Sequence, residues 1–168
     1  LQNNITLDIL LNNPPNNILE LLTHHQIIGI KYYYDLQKKI PKHIIQKIQI
    51  YLTNFDFNFT ICGSFRRKAD FSGDIDILIK TDKYKLKDII SNLSNVSFLI
   101  DHLTNNVTTK YMGICKIPSF NQFMRIDIRL VHENSYPFAI LYFTGSKNNN
   151  TFMRLQAIKM NLKLNEYG

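Results

Sequence analysis

The sequence predicts an α+β fold, with a mixed or antiparallel sheet that carries three aspartates and is flanked by helical segments. Three observations lead there. Apolar residues recur at helical spacing in IPKHIIQKIQIYL (residues 40–52) and in KLKDIISNLS (residues 85–94). Runs such as DIDILI (residues 74–79) and RIDIRLV (residues 125–131) alternate isoleucine with charged residues, the period of a strand with one buried face. Helices and strands come in blocks along the chain, as in α+β folds.

Residues 1–36 read as short helical pieces broken at NNPPNN, because neither proline fits a helix interior. In residues 40–52, Ile44, Ile45, Ile48 and Leu52 form one apolar stripe, and Pro41 suits the first turn. FTIC (residues 59–62) is strand-like and ends at Gly63; a short helix is expected over residues 64–68. DIDILI is the next strand, and residues 85–94 return to a helix. Three strand runs follow at residues 96–103, 107–117 and 123–131, with a turn at Asn105-Asn106 and a short connection at residues 118–122. From Ser135 the pattern is helical again, interrupted at Gly145. No internal repeat is visible.

Hydrophobic residues make up 45% of 168 residues, which supports a packed core and excludes a disordered chain. The net charge of +7 favours a polyanionic partner such as nucleic acid. Cys62 and Cys115 lack metal-type spacing and read as small core residues, in keeping with a reducing compartment. No run approaches the ~20 apolar residues of a membrane span, and no secretory leader opens the sequence. Leu1 in place of Met, and an end at Gly168 without a polar tail, read as a piece of a longer chain. The abundance of Asn and Ile, including Asn148 to Asn150, reads as a composition bias.

Residues two apart in a strand share a face, so Asp74 and Asp76 project together, about 7 Å apart at Cα. Ile75, Ile77 and Ile79 point the other way. Asp127, flanked by Ile126 and Ile128, joins the pair if its strand is the neighbour. Three carboxylates on one face repel and need counter-charge, which divalent cations supply. A DxD alone is more simply an exposed strand face. The residues upstream change that balance: Gly63-Ser64 lets backbone approach an anion, Arg66 and Arg67 offer guanidinium forks suited to phosphate, and Gly73 allows a second close approach. Phosphate binders beside metal-binding acids describe a nucleotide triphosphate site.

GSFRRKADFSGDIDILI, followed in order by TKYMGICKIP, RIDIRLV, LYFTGS and NEYG, resembles the family X DNA polymerases, those of the DNA polymerase beta type. The resemblance covers nearly the whole chain. It implies a nucleotidyltransferase palm at residues 41–132, a helical DNA-binding remnant at 1–40, and the truncated start of a nucleotide-binding subdomain of thumb or fingers type at 133–168. It implies a DNA-directed polymerase acting in base excision or short-gap repair, on primer-template or gapped DNA and dNTP. The protein is then an intracellular monomer without membrane attachment, in the nucleus or, for a viral protein, in the host cell or virion. Two Mg²⁺ ions, with Mn²⁺ as substitute, would be held by the catalytic Asp74, Asp76 and Asp127. Asp127 would also help take the proton of the primer hydroxyl. Gly63, Ser64, Arg67, Gly73 and Lys39 would bind the triphosphate, Tyr142 and Phe143 the sugar, and Asn150 the base edge, with Gly145 also in the nucleotide site. Lys110 would contact the primer and Arg154 the template. Arg125, on the DNA side, would orient Asp127.

Departures from the family pattern are expected to matter. Lys68 stands where polymerase beta has glycine and should be tolerated at a surface; Lys39 stands where an arginine contacts phosphate, so a bidentate contact is lost. Lys147 replaces an aspartate that packs on the incoming base. Within these residues neither a helix-hairpin-helix nor a lyase domain has a counterpart. The alternatives are a template-independent or RNA-directed nucleotidyltransferase and a non-catalytic DNA-binding remnant; the short connection before Phe123 and the Tyr142-Phe143 pair speak against the first. His24 and His25 read as structural, Tyr32 to Tyr34 as packing between subdomains, and Lys38, Lys39 and Lys42 as a phosphate-facing or simply solvated edge.

Overall fold

A computed structural model describes residues 6–12 and 14–168. Leu1 to Ile5 and Asn13 lie outside the described residues, and with them part of the expected NNPPNN turn. The chain runs through α1 (Leu7–Asn12), α2 (Asn16–Leu19), α3 (His24–Lys31), α4 (Tyr33–Leu36), β1 (Ile40–Pro41), α5 (Lys42–Leu52), β2 (Phe59–Ile61) and α6 (Gly63–Arg66). It continues through β3 (Phe71–Ser72), β4 (Ile75–Lys80), α7 (Leu86–Asn95), β5 (Leu99–His102), β6 (Lys110–Ile117) and β7 (Phe120–Val131). A 3₁₀ turn (Glu133–Ser135) leads into α8 (Tyr136–Thr144) and α9 (Lys147–Lys159). The α+β reading holds.

The main sheet is mixed, in the order β2-β4-β7-β6-β5. Only β4 and β7 pair in parallel; their register sets Ile75 against Ile126, Asp76 against Asp127 and Ile77 against Ile128. Period-two alternation sorts the side chains. Ile75, Ile77 and Ile79 of β4 and Met124, Ile126, Ile128 and Leu130 of β7 join one core with the stripe of α5 and with Leu86, Ile89, Ile90 and Leu93 of α7. On the opposite face, α8 covers Cys62, Leu78 and Val131 through Ala139. Further along that face, Ile28 and Tyr32 pack on Ile114 and Phe123. Asp76, Arg125 and Asp127 occupy the strip between those two coverings. Both cysteines are buried and unpaired, as core residues should be.

Several boundaries differ from expectation. Pro41 caps α5 from an extended conformation instead of lying in its first turn. Ile40 and Pro41 instead pair with Ser72 and Phe71 in a separate two-stranded ribbon, too short to leave a periodic signal. The strand expected from residue 96 begins at Leu99, because α7 runs on to Asn95 and Ser97 turns left-handed with φ 56°. β6 starts at Lys110, β7 starts earlier than expected, and the connection between them shrinks to Pro118-Ser119. α9 begins at Lys147 and stops at Lys159. Asn148 to Asn150 are therefore its first turn. No helix among the described residues is long and apolar enough to cross a membrane.

Candidate active site

Asp76 and Asp127 face one another because β4 and β7 are in parallel register, each held in place by buried isoleucines on either side. Asp74 lies in the bend just before β4 rather than within the strand. One carboxylate oxygen from each of the three lies within 4.8 Å of the others. Burial, then the charges of Asp74 and Asp127, push the Asp76 carboxyl up to about 7, against the pull of Arg125 and Arg67. Burial also raises Asp127, opposed by Arg125. Asp127 Oδ1 is buried with no hydrogen-bond partner. A carboxylate cluster with an orphaned oxygen and suppressed ionisation fits a hard divalent cation, which would take oxygen ligands from Asp74, Asp76 and Asp127.

Arg125 shares the face of Asp127, and its Nη2 donates to Asp74 Oδ2 and lies 3.5 Å from Asp127 Oδ2. Gly63 borders the cluster with φ +56°, and a Cβ there would sit 2.0 Å from Asp76 Oδ2, so only glycine fits. α6 is a single turn, shorter than expected, with Arg67 as its C-cap. Ser64 Oγ lies 2.8 Å from Ser72 Oγ. Lys39 Nζ comes within 3.6 Å of where a Cβ on Gly73 would be, so the ribbon brings the expected phosphate cation beside Gly73 and Asp74.

Tyr142, Phe143, Gly145, Asn150 and Arg154 form a second group. Tyr142 and Phe143 meet edge to face at 5.0 Å. Asn150 Nδ2 donates to Tyr142 O at 2.8 Å, and the Arg154 guanidinium lies 5.0 Å from the Tyr142 ring centre. Two arginines join this group to the first. Arg67 Nη1 donates to Thr144 O at 2.6 Å, beside Gly145, and Arg129 lies over the Phe143 ring at 5.5 Å. Lys110 is exposed at the start of β6, opposite Arg129. Sequence reasoning missed Arg129, although the alternation of RIDIRLV puts it on the face of Arg125 and Asp127. It also missed Ser72, which is 2% exposed and sits in a strand too short to show a period.

The sequence model of the DNA polymerase beta palm matches residues 36–133, and that of the DNA polymerase beta thumb matches residues 139–168. Among curated proteins, DNA polymerase lambda of Rattus norvegicus is 32% identical over 165 residues, covering 89% of this chain and 29% of the relative. DNA polymerase lambda of Arabidopsis thaliana is 27% identical, covering 88% of this chain and 32% of the relative. The DNA polymerase/3'-5' exonuclease PolX of Bacillus subtilis (strain 168) is 29% identical, covering 83% and 22%. The chain thus spans a third or less of the length of these relatives. With palm and thumb matches in sequence order, over a sheet that presents three facing aspartates, the chain belongs to the family X DNA polymerases, those of the DNA polymerase beta type.

Proposed function

We propose that this chain is the nucleotidyl-transfer core of a DNA-directed DNA polymerase that extends a primer 3′-hydroxyl with a dNTP. The observation that carries the reading is the Asp76–Asp127 register pair with Asp74 beside it, a carboxylate trio within 4.8 Å. The primer 3′-oxygen attacks the α-phosphorus of the dNTP as the bond to the β-phosphate breaks and pyrophosphate leaves; when bound, two Mg²⁺ ions (or Mn²⁺) would neutralise negative charge on the phosphate oxygens and lower the proton affinity of the primer hydroxyl. Asp74, Asp76 and Asp127 would hold these ions, and the Asp127 carboxylate would receive the hydroxyl proton. Lys39, Ser64, Arg67 and the backbone at Gly73 hold the β and γ phosphates. Tyr142 and Phe143 close the sugar pocket against a 2′-hydroxyl, and Asn150 reads the base edge. Lys110 contacts the primer strand and Arg154 the template. Residues 1–40 serve as a helical DNA-binding element, 41–132 as the palm, and 133–168 as the start of the nucleotide-binding subdomain. The net charge of +7 suits a gapped-DNA substrate, and short-gap repair by a monomer inside the cell is the role proposed.

Primer extension on gapped DNA tests this, with and without a template strand and with dNTP against rNTP. Asp127→Ala should lower templated dNTP extension by at least about 100-fold. Wild-type extension by that variant would refute the mechanism. Extension that needs no template would favour the template-independent alternative, which the tight Pro118-Ser119 turn already disfavours.

A further inference from the structure

Arg125 lies one residue before the Ile75–Ile126 register pair, level with Asp74 on the approach to β4. Its Nη2 is shared between Asp74 Oδ2 and Asp127 Oδ2. The Nε of the same guanidinium is buried without a partner, as is Asp127 Oδ1. An arginine that only oriented Asp127 would turn its two-pronged edge on that carboxylate, since the fork matches two oxygens at once. Here one nitrogen is placed across two acids, where a cation would sit, and the prong is left unused.

We infer that Arg125 is a resident stand-in for a metal cation. It bridges Asp74 and Asp127 in the free protein and gives up Asp74 when a divalent ion enters. It then closes with Nε and Nη2 on Asp127, satisfying both orphaned atoms. The inference rests on the metal-binding reading of the three aspartates. Its physical basis is competition. The acids need positive charge to coexist, and the guanidinium supplies it before any ion arrives. Ion entry must then break a charge pair, so the ion alone binds weakly. A nucleotide that adds phosphate ligands tips the balance. Arg125 thereby couples metal loading to nucleotide arrival.

The test is Mn²⁺ binding to the full chain at pH 8, without nucleotide or DNA, followed by electron paramagnetic resonance of free Mn²⁺. Arg125→Met and Arg125→Gln should each bind Mn²⁺ about fivefold more tightly than wild type, the equivalent of one partly exposed charge pair. Arg125→Lys keeps the charge and should stay near wild type. Circular dichroism identifies which neutral variant is folded, and either one suffices. Unchanged or weaker binding by a folded neutral variant overturns the inference. Asp127→Asn separates the two ideas. If it weakens Mn²⁺ binding while the neutral Arg125 variants leave it unchanged, the metal reading stands and the stand-in role falls. If Asp127→Asn has no effect, the metal reading itself falls.

Discussion

At the scale of single residues, three helices end on the same motif with an unusual residue in it. After α6, Lys68 N–H bonds Phe65 O and Ala69 N–H bonds Ser64 O; after α7, Ser97 bonds Ser94 O and Phe98 bonds Leu93 O. Asn161 and Leu162 close α9 in the same way. These are Schellman closures, whose left-handed position favours glycine, and Lys68, Ser97 and Asn161 adopt it at φ 66°, 56° and 58°. The departure at Lys68 is therefore a backbone matter, where the sequence suggested only an added surface charge. Left-handed backbone costs a non-glycine residue about 1–2 kcal/mol, and the unfolded freedom of glycine takes back about half. Lys68→Gly should raise stability by about 0.5–1 kcal/mol and the melting temperature by about 1–4 °C; a fall in melting temperature would count against the left-handed assignment. Asp76 gives a second prediction. Its carboxyl is raised to about 7, so between about pH 4 and 7 the folded protein keeps a proton that the unfolded chain has released. The associated stability is complete at low pH and is lost as the pH climbs through 7. Metal-free protein should melt progressively lower from pH 5 to pH 7 and level off above that, Asp76→Asn should flatten the decline, and Mn²⁺ at pH 8 should restore stability to wild type only. Equal slopes for both proteins would disprove this cost of charge.

At the scale of elements, the site is a junction between β2, α6 and β4. Cys62 N–H bonds Asp76 O at 2.8 Å, which pins the end of β2 to the strand that carries the acid. Gly63 then turns α6 away with its Cα against the Asp76 carboxylate. Gly63→Ala should displace that carboxylate by roughly an ångström and lower catalytic turnover by about 100-fold, with a melting temperature reduced by the left-handed penalty. Turnover within twofold of wild type would show that the carboxylate has room to move. Much of this junction was legible beforehand. Alternation in DIDILI and RIDIRLV assigned core and cleft faces because the side-chain period of a strand is a local property. The parallel pairing of β4 with β7 was not legible, since register between segments fifty residues apart leaves no mark in either one. The β1–β3 ribbon escaped for another reason. Two-residue strands have no period, and their pairing depends on Pro41 staying extended ahead of α5.

At the scale of the whole molecule, the amino-terminal helices are bolted to the far edge of the sheet, and the last bolt lies next to Lys39. His24 and His25 each place Nε2 against a backbone carbonyl, those of His102 and Leu103, at 2.7 and 2.6 Å. Lys31 and Tyr32 both donate to Asp101 Oδ2 at 2.6 Å, and the Tyr32 ring packs on Phe123 at 4.7 Å. This accounts for the histidines as structural and for Tyr32 as packing; the sequence could weigh those roles but could not name partners some seventy residues away. The last bolt is Gln122, 7% exposed, whose Nε2 donates to Asp35 O at 3.1 Å and to Lys38 O at 3.3 Å. The residue after Lys38 is Lys39, the cation beside Gly73. Gln122→Leu would leave both carbonyls without this donor in a partly buried setting, at about 1–3 kcal/mol. That cost falls on one segment. Amide exchange should quicken in residues 35–40 while β4 and β7 keep their protection, because local opening reports local bonds. Lys39 would then spend less time beside Gly73, so the dNTP concentration for half-maximal extension should rise several-fold with little change in maximal rate. Exchange that quickens evenly through the sheet, or a fall in maximal rate at unchanged nucleotide affinity, would place the role of Gln122 in general stability instead of in holding Lys39.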